Sequence, residues 1–163
     1  MDSSYEISLA ELLELISAKV KPAAAGAGVA FTGDVNGVGA LTNSDANLIL
    51  LILDNLIQNA IQATPRGRSV YLTLSVQKND LTCQVTDEGP GVPEEFRQSL
   101  FGPCRSTKPG GSGIGLAISK QLAAHLAADL DLTQSSLEGT TFTLRLPARI
   151  LRHAEPVSAR ANS

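Results

Sequence analysis

Three polar side chains interrupt an otherwise apolar helical pattern in the middle of the sequence. Asn55 and Asn59 are four residues apart and Gln62 is three residues further on, so a helix would carry all three on one face. Amides on a long apolar helix are costly unless they are satisfied. They can bond backbone groups, or their oxygens can coordinate Mg²⁺, a hard cation that takes oxygen ligands. The residues alone leave both interpretations open.

A carboxylate stands at the end of a later alternating segment. Asp87 is followed by Gly89 and Gly91 in the sequence "VTDEGPGVP". Asp and Gly are common in ordinary turns. The same pattern also suits a base-binding site, where the carboxylate accepts a hydrogen bond from an amine such as adenine N6 and the glycines let the base approach the backbone. This short pattern is compatible with either role.

A glycine-rich segment precedes another helical pattern. Gly111, Gly113 and Gly115 lead directly into apolar residues at helical spacing, and Lys108 lies just before them. The spacing is neither that of a Walker A loop nor G-x-G-x-x-G. Backbone N–H groups at a helix start would bind an anion, helped by the helix dipole and by the lysine charge. A flexible loop without a ligand is the alternative.

The composition is that of an ordinary globular chain with one core. The chain has 163 residues, of which 43% are hydrophobic and 18% charged. A net charge of -3 argues against non-specific nucleic-acid binding. Cys83 lies in an alternating apolar pattern and is expected in the core, and Cys104 in a loop, without zinc or disulfide spacing. The longest apolar run, 48–53, is too short to span a bilayer.

Alternating and helical patterns together predict an α+β fold. The helical patterns cover 8–20, 45–63, a short segment at 93–100, and 113–127. The strand patterns cover 28–32, at most one short strand between 34 and 45, a hairpin of 69–76 and 81–86 around "KND", and a final hairpin of 129–135 and 140–147. Helices interspersed with hairpins predict a mostly antiparallel sheet covered by helices on one face.

The ends of several elements carry recognisable signals. Ser8, with Glu11 three residues later, predicts a capping box for the first helix. Asn43 or Ser44 is predicted to cap the long helix, which should end at "TPRG" because the residue before a proline disfavours helix. The chain after Pro147 is polar and rich in alanine, and we expect it to fray.

In this order, the segments resemble the ATP-binding catalytic domain of sensor histidine kinases. That domain belongs to the GHKL superfamily, with type II topoisomerases, heat-shock chaperone ATPases and mismatch-repair ATPases. The resemblance rests on "NLIQNAIQA" as the N box, "DEGPG" as the D-x-G-x-G box, "LFGPCRSTK" as the F box, "GSGIGLAI" as the second glycine box and "GTTFTLRLP" as the terminal strand. It covers about 5–147, and the Ser-Thr-Lys of the F box resembles nitrogen-regulation-like kinases.

The resemblance implies a two-layer α/β sandwich, the Bergerat ATP-binding fold, with ATP between the N-box helix and a lid. It implies that Asn59 coordinates Mg²⁺, that Asn59 and Lys108 act in catalysis, and that Asp87 reads adenine. The other residues that it assigns to the nucleotide are Asn55, Gln62, Gly89, Gly91, Thr107, Gly111, Gly113, Ile114, Gly115, Leu116 and Thr140. Cys104 replaces the usual second aromatic of the F box, and the lid is short.

One departure separates kinases from hydrolases within the superfamily. The hydrolases resembled here carry a glutamate one turn before the magnesium asparagine, where this sequence has Asn55, which cannot act as a general base at neutral pH. Asp54 is rotated about 100° around the helix from that position. The resemblance therefore implies a kinase that binds Mg-ATP and donates its γ-phosphate to a histidine. Such transfer needs mainly positioning and charge neutralisation.

The acceptor histidine is expected on another domain. His125 and His153 are the two histidines, and neither lies in a His-Asp/Glu box. We expect residues 1–150 to be a monomeric, cytoplasmic catalytic domain and 151–163 a flexible tail. The dimerisation domain, any membrane anchor and a downstream response regulator would be separate. An anti-sigma-type serine kinase and a non-catalytic ATP-responsive binding module are the alternatives, and a nucleic-acid-linked ATPase is disfavoured by charge and by the absent glutamate.

Overall fold

The computed structural model describes residues 5–102 and 115–152. The helices are α1 (Leu9–Ala27), α2 (Asn43–Ala63), α3 (Glu94–Arg97) and α4 (Gly115–His125), followed by a short 3₁₀ turn at Ala148–Ile150. The strands are β1 (Glu6–Ser8), β2 (Ala30–Asn36), β3 (Ala40–Thr42), β4 (Ser69–Gln77), β5 (Asp80–Asp87), β6 (Asp129–Ser136) and β7 (Gly139–Leu146).

Five strands form one mixed sheet. Their order is β2-β4-β5-β7-β6, with β2 parallel to β4 and the other neighbours antiparallel. α1 packs on β2, α2 on β4 and β5, and α4 on β6, so the helices form a second layer. The predicted α+β fold, a mostly antiparallel sheet with helices on one face, is confirmed.

Helix α1 begins as predicted and runs further than predicted. The Ser8 hydroxyl accepts the Glu11 N–H (3.1 Å) and the Glu11 carboxylate accepts the Ser8 N–H (3.3 Å), which confirms the capping box. The helix continues past 20 to Ala27, and the first strand of the sheet therefore starts at Ala30. Pro22 is tolerated because it lies on the exposed face, where water can satisfy the carbonyl that loses its partner.

Helix α2 ends as predicted but is capped by a different residue. The Thr42 hydroxyl accepts the Asp45 N–H at 3.2 Å, so the prediction of Asn43 or Ser44 as the cap was wrong. Thr42 is the last residue of β3 and keeps an extended backbone (φ -64°, ψ 154°), which is what an N-cap requires. Because strand pairing holds Thr42 extended, the helix starts at the next residue.

The hairpins follow the predicted pattern. Lys78 and Asn79 join β4 to β5 with positive φ angles of 52° and 71°, which gives the type I′ turn that suits a two-residue hairpin. The helix α3 is shorter than the predicted 93–100, and α4 ends at His125 rather than at 127. In each case the predicted span included residues that form turns at the helix end.

A small second sheet ties the two ends of the described chain together. β1 pairs with β3, and Arg152 pairs with Ala40 at the far edge of β3. Ile150 and Leu151 are buried, so the prediction that the chain frays after Pro147 was wrong for residues 148–152. The remainder of the predicted tail, 153–163, lies outside the described residues. The packed part of the chain therefore reaches Arg152.

The apolar sides of the helices and of the sheet meet in one core. Cys83 is fully buried there, as predicted, and desolvation raises the pKa of its thiol to about 12. The thiol is therefore uncharged at neutral pH and behaves as a small apolar side chain. In the two described stretches of chain, we find no helix with the length and hydropathy that a membrane span needs.

Candidate functional site

The polar residues of α2 form a stripe beside the start of α4. Asn55 and Asn59 are half-buried and Gln62 is exposed. The Asn55 side-chain N–H₂ donates to the Ser119 hydroxyl (3.2 Å) and to the Gly115 carbonyl (3.5 Å). Of the two uses open to this amide, the structure thus shows bonding to protein groups. The bonds hold the first turn of α4 against α2.

Asp87 lies at the end of β5, next to the predicted adenine-contacting threonine. Asp87 and Thr140 are both buried and stand opposite each other in the β5–β7 register. The Asp87 carboxylate accepts the Gly89 N–H at 2.9 Å, which closes a tight turn directly after the strand. The sheet therefore brings together two residues that are more than fifty positions apart in sequence.

The glycines after Asp87 lie where the backbone passes close to other backbone. A Cβ on Gly89 would be 2.5 Å from the carbonyl oxygen of Ala63, the last residue of α2. Gly91 has a φ of 86° and a Cβ there would contact the Ser136 carbonyl. Only glycine allows both the left-handed conformation and this approach. The loop is therefore fixed between the end of α2 and the β6–β7 hairpin.

Two further side chains fix this loop. The Glu88 carboxylate accepts the Ser69 N–H at 2.7 Å and has Arg68 at 3.9 Å. The Ser135 hydroxyl accepts the Val92 N–H at 2.8 Å. Sequence reasoning missed both residues, as it missed Ser119. The only sequence signal was for Ser119, a polar residue one turn after Gly115 on the side of the helix that faces the core.

The remaining predicted residues divide between α4 and the part of the chain that is not described. Gly115 is the first residue of α4 and faces the Asn55 amide, whose oxygen would be 3.9 Å from a Cβ at that position. Leu116 packs against the core. Thr107, Lys108, Gly111, Gly113 and Ile114 lie outside the described residues, as does Cys104.

Asp54 does not face the polar stripe. Its carboxylate is 3.6 Å from the Lys19 ammonium of α1 and accepts a hydrogen bond from Gln58 at 3.3 Å. Both contacts draw Asp54 toward α1, as its rotation around the helix from Asn55 predicts. This carboxylate is thus unsuited to act as a general base beside Asn55.

The donor chemistry of the stripe fits Mg²⁺ bound together with phosphates. Within 5–102 and 115–152, no three His, Cys, Asp or Glu residues cluster as a metal site would require. Mg²⁺ keeps several waters and uses one or two protein ligands plus substrate phosphates. The amide oxygen of Asn59, one turn beyond Asn55 and half-buried, is a ligand of the right kind.

Comparison with known proteins shows the family. The family described as "Histidine kinase-, DNA gyrase B-, and HSP90-like ATPase" matches residues 44–150. Those residues include α2, the Asp87 turn, α4 and the β6–β7 hairpin, so they contain the whole described site. The chain belongs to this family of ATP-binding domains.

The curated relatives narrow the class. The sensor-like histidine kinase SenX3 of Mycobacterium tuberculosis (strain ATCC 25618 / H37Rv) is 37% identical over 112 residues, 65% of this chain and 27% of that protein. The signal transduction histidine-protein kinase AtoS of Escherichia coli (strain K12) is 29% identical over 143 residues, 87% of this chain and 24% of that protein. The chain spans about a quarter of the length of these relatives.

Solved structures agree with this assignment. The catalytic domain of histidine kinase ThkA superposes with a TM-score of 0.78 at 24% identity, covering 91% of this chain and 97% of that one. Full-length ShkA in complex with AMPPNP gives a TM-score of 0.80 at 26% identity, covering 94% of this chain and 32% of that one. Within its family, the chain is the ATP-binding domain of a sensor histidine kinase. The nitrogen-regulation-like subgroup and the roles of individual residues stay predictions.

Proposed function

We propose that this chain binds Mg-ATP and donates the γ-phosphate to a histidine on a separate dimerisation and phosphoacceptor domain of its parent protein. A response regulator then takes the phosphate from that histidine. The isolated domain, residues 1–150 with the packed extension to Arg152, is a monomer on the cytoplasmic side, where ATP is available. The acceptor must be supplied by another domain because His125 and His153 lack the acidic neighbour of a phosphoacceptor box.

The arrangement of groups along α2 carries this proposal. Asn55 and the start of α4 lie toward one end, and Ala63, against which Gly89 packs, lies at the other. Eight residues of helix separate these two points by about 12 Å. An elongated ligand with a base at one end and phosphates at the other fits beside such a row. The partial positive charge at the start of α4 favours the phosphate end at Gly115.

Each end has its own chemical task. Asp87 accepts a hydrogen bond from the adenine amine while Thr140, opposite it in the sheet, bounds the base pocket. Asn59 holds Mg²⁺, which when bound neutralises charge on the phosphates. Lys108 adds a positive charge near the γ-phosphate. Asn55 keeps the first turn of α4 in place through Ser119 and Gly115.

The transfer step itself asks little covalent chemistry of this chain. The lone pair of a neutral imidazole nitrogen on the acceptor domain attacks the γ-phosphorus, the bond to the β,γ-bridging oxygen breaks, and ADP leaves. A phosphorus–nitrogen bond forms, and the imidazole releases its proton. Catalysis then depends on alignment and on stabilising the phosphoryl charge.

Transfer is favoured over hydrolysis by what stands one turn before Asn59. Water activation needs a base there, and Asn55 is an amide already committed to α4 through its N–H₂ group. The adjacent carboxylate, Asp54, is paired with Lys19 on the side of α1. The domain therefore holds ATP with slow loss of phosphate to water until a histidine is presented.

One titration tests this function. ATP is added to the chain with and without Mg²⁺, binding heat is recorded, and phosphate release is followed in the same samples. We expect magnesium-dependent binding with negligible release. Steady release would mean that water is activated, and the domain would be a hydrolase. Absence of binding would leave a non-nucleotide partner surface as the function.

A second assay identifies the acceptor chemistry. The chain is incubated with γ-labelled ATP and the phosphoacceptor domain of its parent protein. A phosphohistidine is labile in acid and stable in alkali, whereas a phosphoserine has the opposite behaviour. Acid-labile label on the partner supports the proposal. Acid-stable, alkali-labile label would instead identify an anti-sigma-type serine kinase.

A further inference from the structure

One lysine of α4 contacts three other parts of the molecule at once. The Lys120 ammonium donates to the Leu130 carbonyl of β6 at 2.7 Å and lies 3.8 Å from the Asp131 carboxylate. It also stands 5.1 Å from the centre of the Phe101 ring. The Phe101 ring in turn meets Phe142 of β7 edge-on, with ring centres 6.0 Å apart. Lys120 thus joins α4, the sheet edge and Phe101 through one charge.

Another lysine offers an internal comparison. Lys19 of α1 also lies on a helix, is 49% exposed against 45% for Lys120, and faces a carboxylate at 3.6 Å. Exposed pairs of this kind contribute little, and Asp131 is itself 63% exposed. What distinguishes Lys120 is the short bond to a backbone carbonyl and the aromatic ring. Charge-assisted bonds and cation–π contacts are the stronger of these interactions.

The position of Lys120 in α4 gives these contacts a bearing on the nucleotide site. Its neighbour Ser119 is bonded to Asn55 of α2, and the helix begins five residues earlier at Gly115. Adjacent residues therefore fasten α4 in two directions. Ser119 holds it to α2, and Lys120 holds it to β6 and Phe101. The orientation of the first turn, beside the predicted phosphate position, depends on both attachments.

We propose that Lys120 is a positioning residue for the bound nucleotide, which holds the first turn of α4 in register with Asn55 by joining it to Phe101 and β6. The inference rests on the proposed ATP-binding function. It predicts that ATP affinity depends on a positive charge at position 120 and that the environment of Phe101 changes when ATP binds. The charge acts through α4, so Lys120 itself need not touch ATP.

The chain contains no tryptophan, which makes a direct readout possible. Phe101→Trp introduces a single fluorophore at the ring that Lys120 contacts. In this background, Lys120→Met removes the charge and keeps much of the stem, Lys120→Arg keeps a cation, and Lys19→Met is the matched control. Emission is recorded with and without Mg-ATP. Calorimetry gives the ATP affinity of the same substitutions with Phe101 intact, and thermal midpoints are measured for all variants.

We expect Lys120→Met to change the emission of the tryptophan and to weaken ATP binding by about three- to tenfold. Lys120→Arg should restore most of both, and Lys19→Met should alter neither. Because Lys120 is nearly half exposed, its variants should fold. A role in stability alone would lower the thermal midpoint without changing the affinity of the folded protein.

Three results would overturn the inference. Lys120→Met could leave ATP affinity and emission unchanged, Lys19→Met could match its effect, or Lys120→Arg could fail to rescue it. In all three, the unsubstituted chain still binds ATP, so the proposed function stands. If the unsubstituted chain binds no ATP, the proposed function falls, and this inference falls with it. The two failures are therefore told apart by one control titration.

Discussion

The two ends of the candidate nucleotide site are built in different ways. At the predicted base end, backbone passes against backbone, since Gly89 approaches the Ala63 carbonyl and Gly139 leaves no room for a Cβ beside the Asp87 carbonyl. At the predicted phosphate end, side chains from two helices meet, and the closest link is the bond from Asn55 to Ser119. One end is fixed by main-chain fit and the other by replaceable side-chain bonds.

This difference separates specificity from affinity for charge. A rigid turn that presents one buried carboxylate can distinguish an amine from a carbonyl, because an unmatched buried polar group is costly. A helix start with amide side chains provides general attraction for phosphates and their metal, with less demand on shape. Changes at the base end should therefore be large and base-specific. Those at the phosphate end should be smaller and dependent on magnesium.

The largest expected effect is at Asp87. Asp87→Asn keeps an oxygen that can accept the Gly89 N–H but removes the charge offered to the adenine amine. Hydrogen bonds to charged groups are worth about 1.5–3 kcal/mol, so ATP affinity should fall about ten- to a hundredfold. Calorimetric titration measures this change. Asp80→Asn, at the other end of β5, is the matched control and should bind ATP like the parent.

The same titration with GTP tests the assignment independently. GTP carries a carbonyl where adenine has its amine, so it should bind poorly to the unsubstituted chain. Equal competition by GTP and ATP would show that Asp87 does not read the base. The base end would then be no more selective than the phosphate end, and the comparison between the two would fail.

Next in size is the effect of filling the space at Gly89. Gly89→Ala would place a Cβ 2.5 Å from the Ala63 carbonyl, so the turn must move away from the end of α2. Overpacking of this kind costs about 1–3 kcal/mol, and ATP affinity should fall because Asp87 moves with the turn. Thermal unfolding and ATP titration measure the two parts.

Gly26 provides the control for that substitution. A Cβ on Gly26, in α1, would have nothing within 4 Å, so Gly26→Ala should leave ATP binding unchanged and gain slightly in stability from helix propensity. If the two alanine variants behave alike, close backbone approach is not what shapes the base end.

At the phosphate end, Asn59→Ala should reduce the benefit of magnesium. The affinity without Mg²⁺ should change little, whereas the affinity with Mg²⁺ should fall by about tenfold, comparable to one contact with a charged group. The ratio of the two dissociation constants is the measurement. Gln58→Ala, an adjacent amide directed at Asp54, is the control. An equal loss with and without metal would contradict a role for Asn59 as a ligand.

Local sequence signals were sufficient for much of the fold. The capping box at Ser8, the end of α2 before Pro65 and the turn at Lys78-Asn79 depend on residues close in sequence, and each was predicted. The motif that ends at Asp87 was predicted as a unit for the same reason. Where the determining contact is local, the residue types alone define the conformation.

The mistakes came from contacts between distant residues. Thr42, Asn43 and Ser44 are all good N-cap residues, and pairing of β3 with β1 selects the first. Leu151 was predicted in a polar tail, but it packs beside Gly39 at the small sheet. The bond from Asn55 to Ser119 joins residues sixty-four positions apart. Such pairings follow from tertiary packing, which periodicity cannot reveal.

The smallest expected effect tests that last bond. Ser119→Ala removes the acceptor of the Asn55 amide and leaves only the longer contact with the Gly115 carbonyl. The loss of one hydrogen bond should cost about 1 kcal/mol, or about 2–4 °C in thermal midpoint for a domain of this size. ATP affinity should fall less than for Asp87→Asn, because side chains at this end can readjust.

Ser44→Ala is the matched control, since Ser44 is exposed on α2 and Thr42 caps the helix in its place. It should leave both the thermal midpoint and ATP binding near parent values. If Ser119→Ala reduces ATP affinity as much as Asp87→Asn does, the phosphate end is as rigid as the base end. The division between a fixed end and an adjustable end would then have to be abandoned.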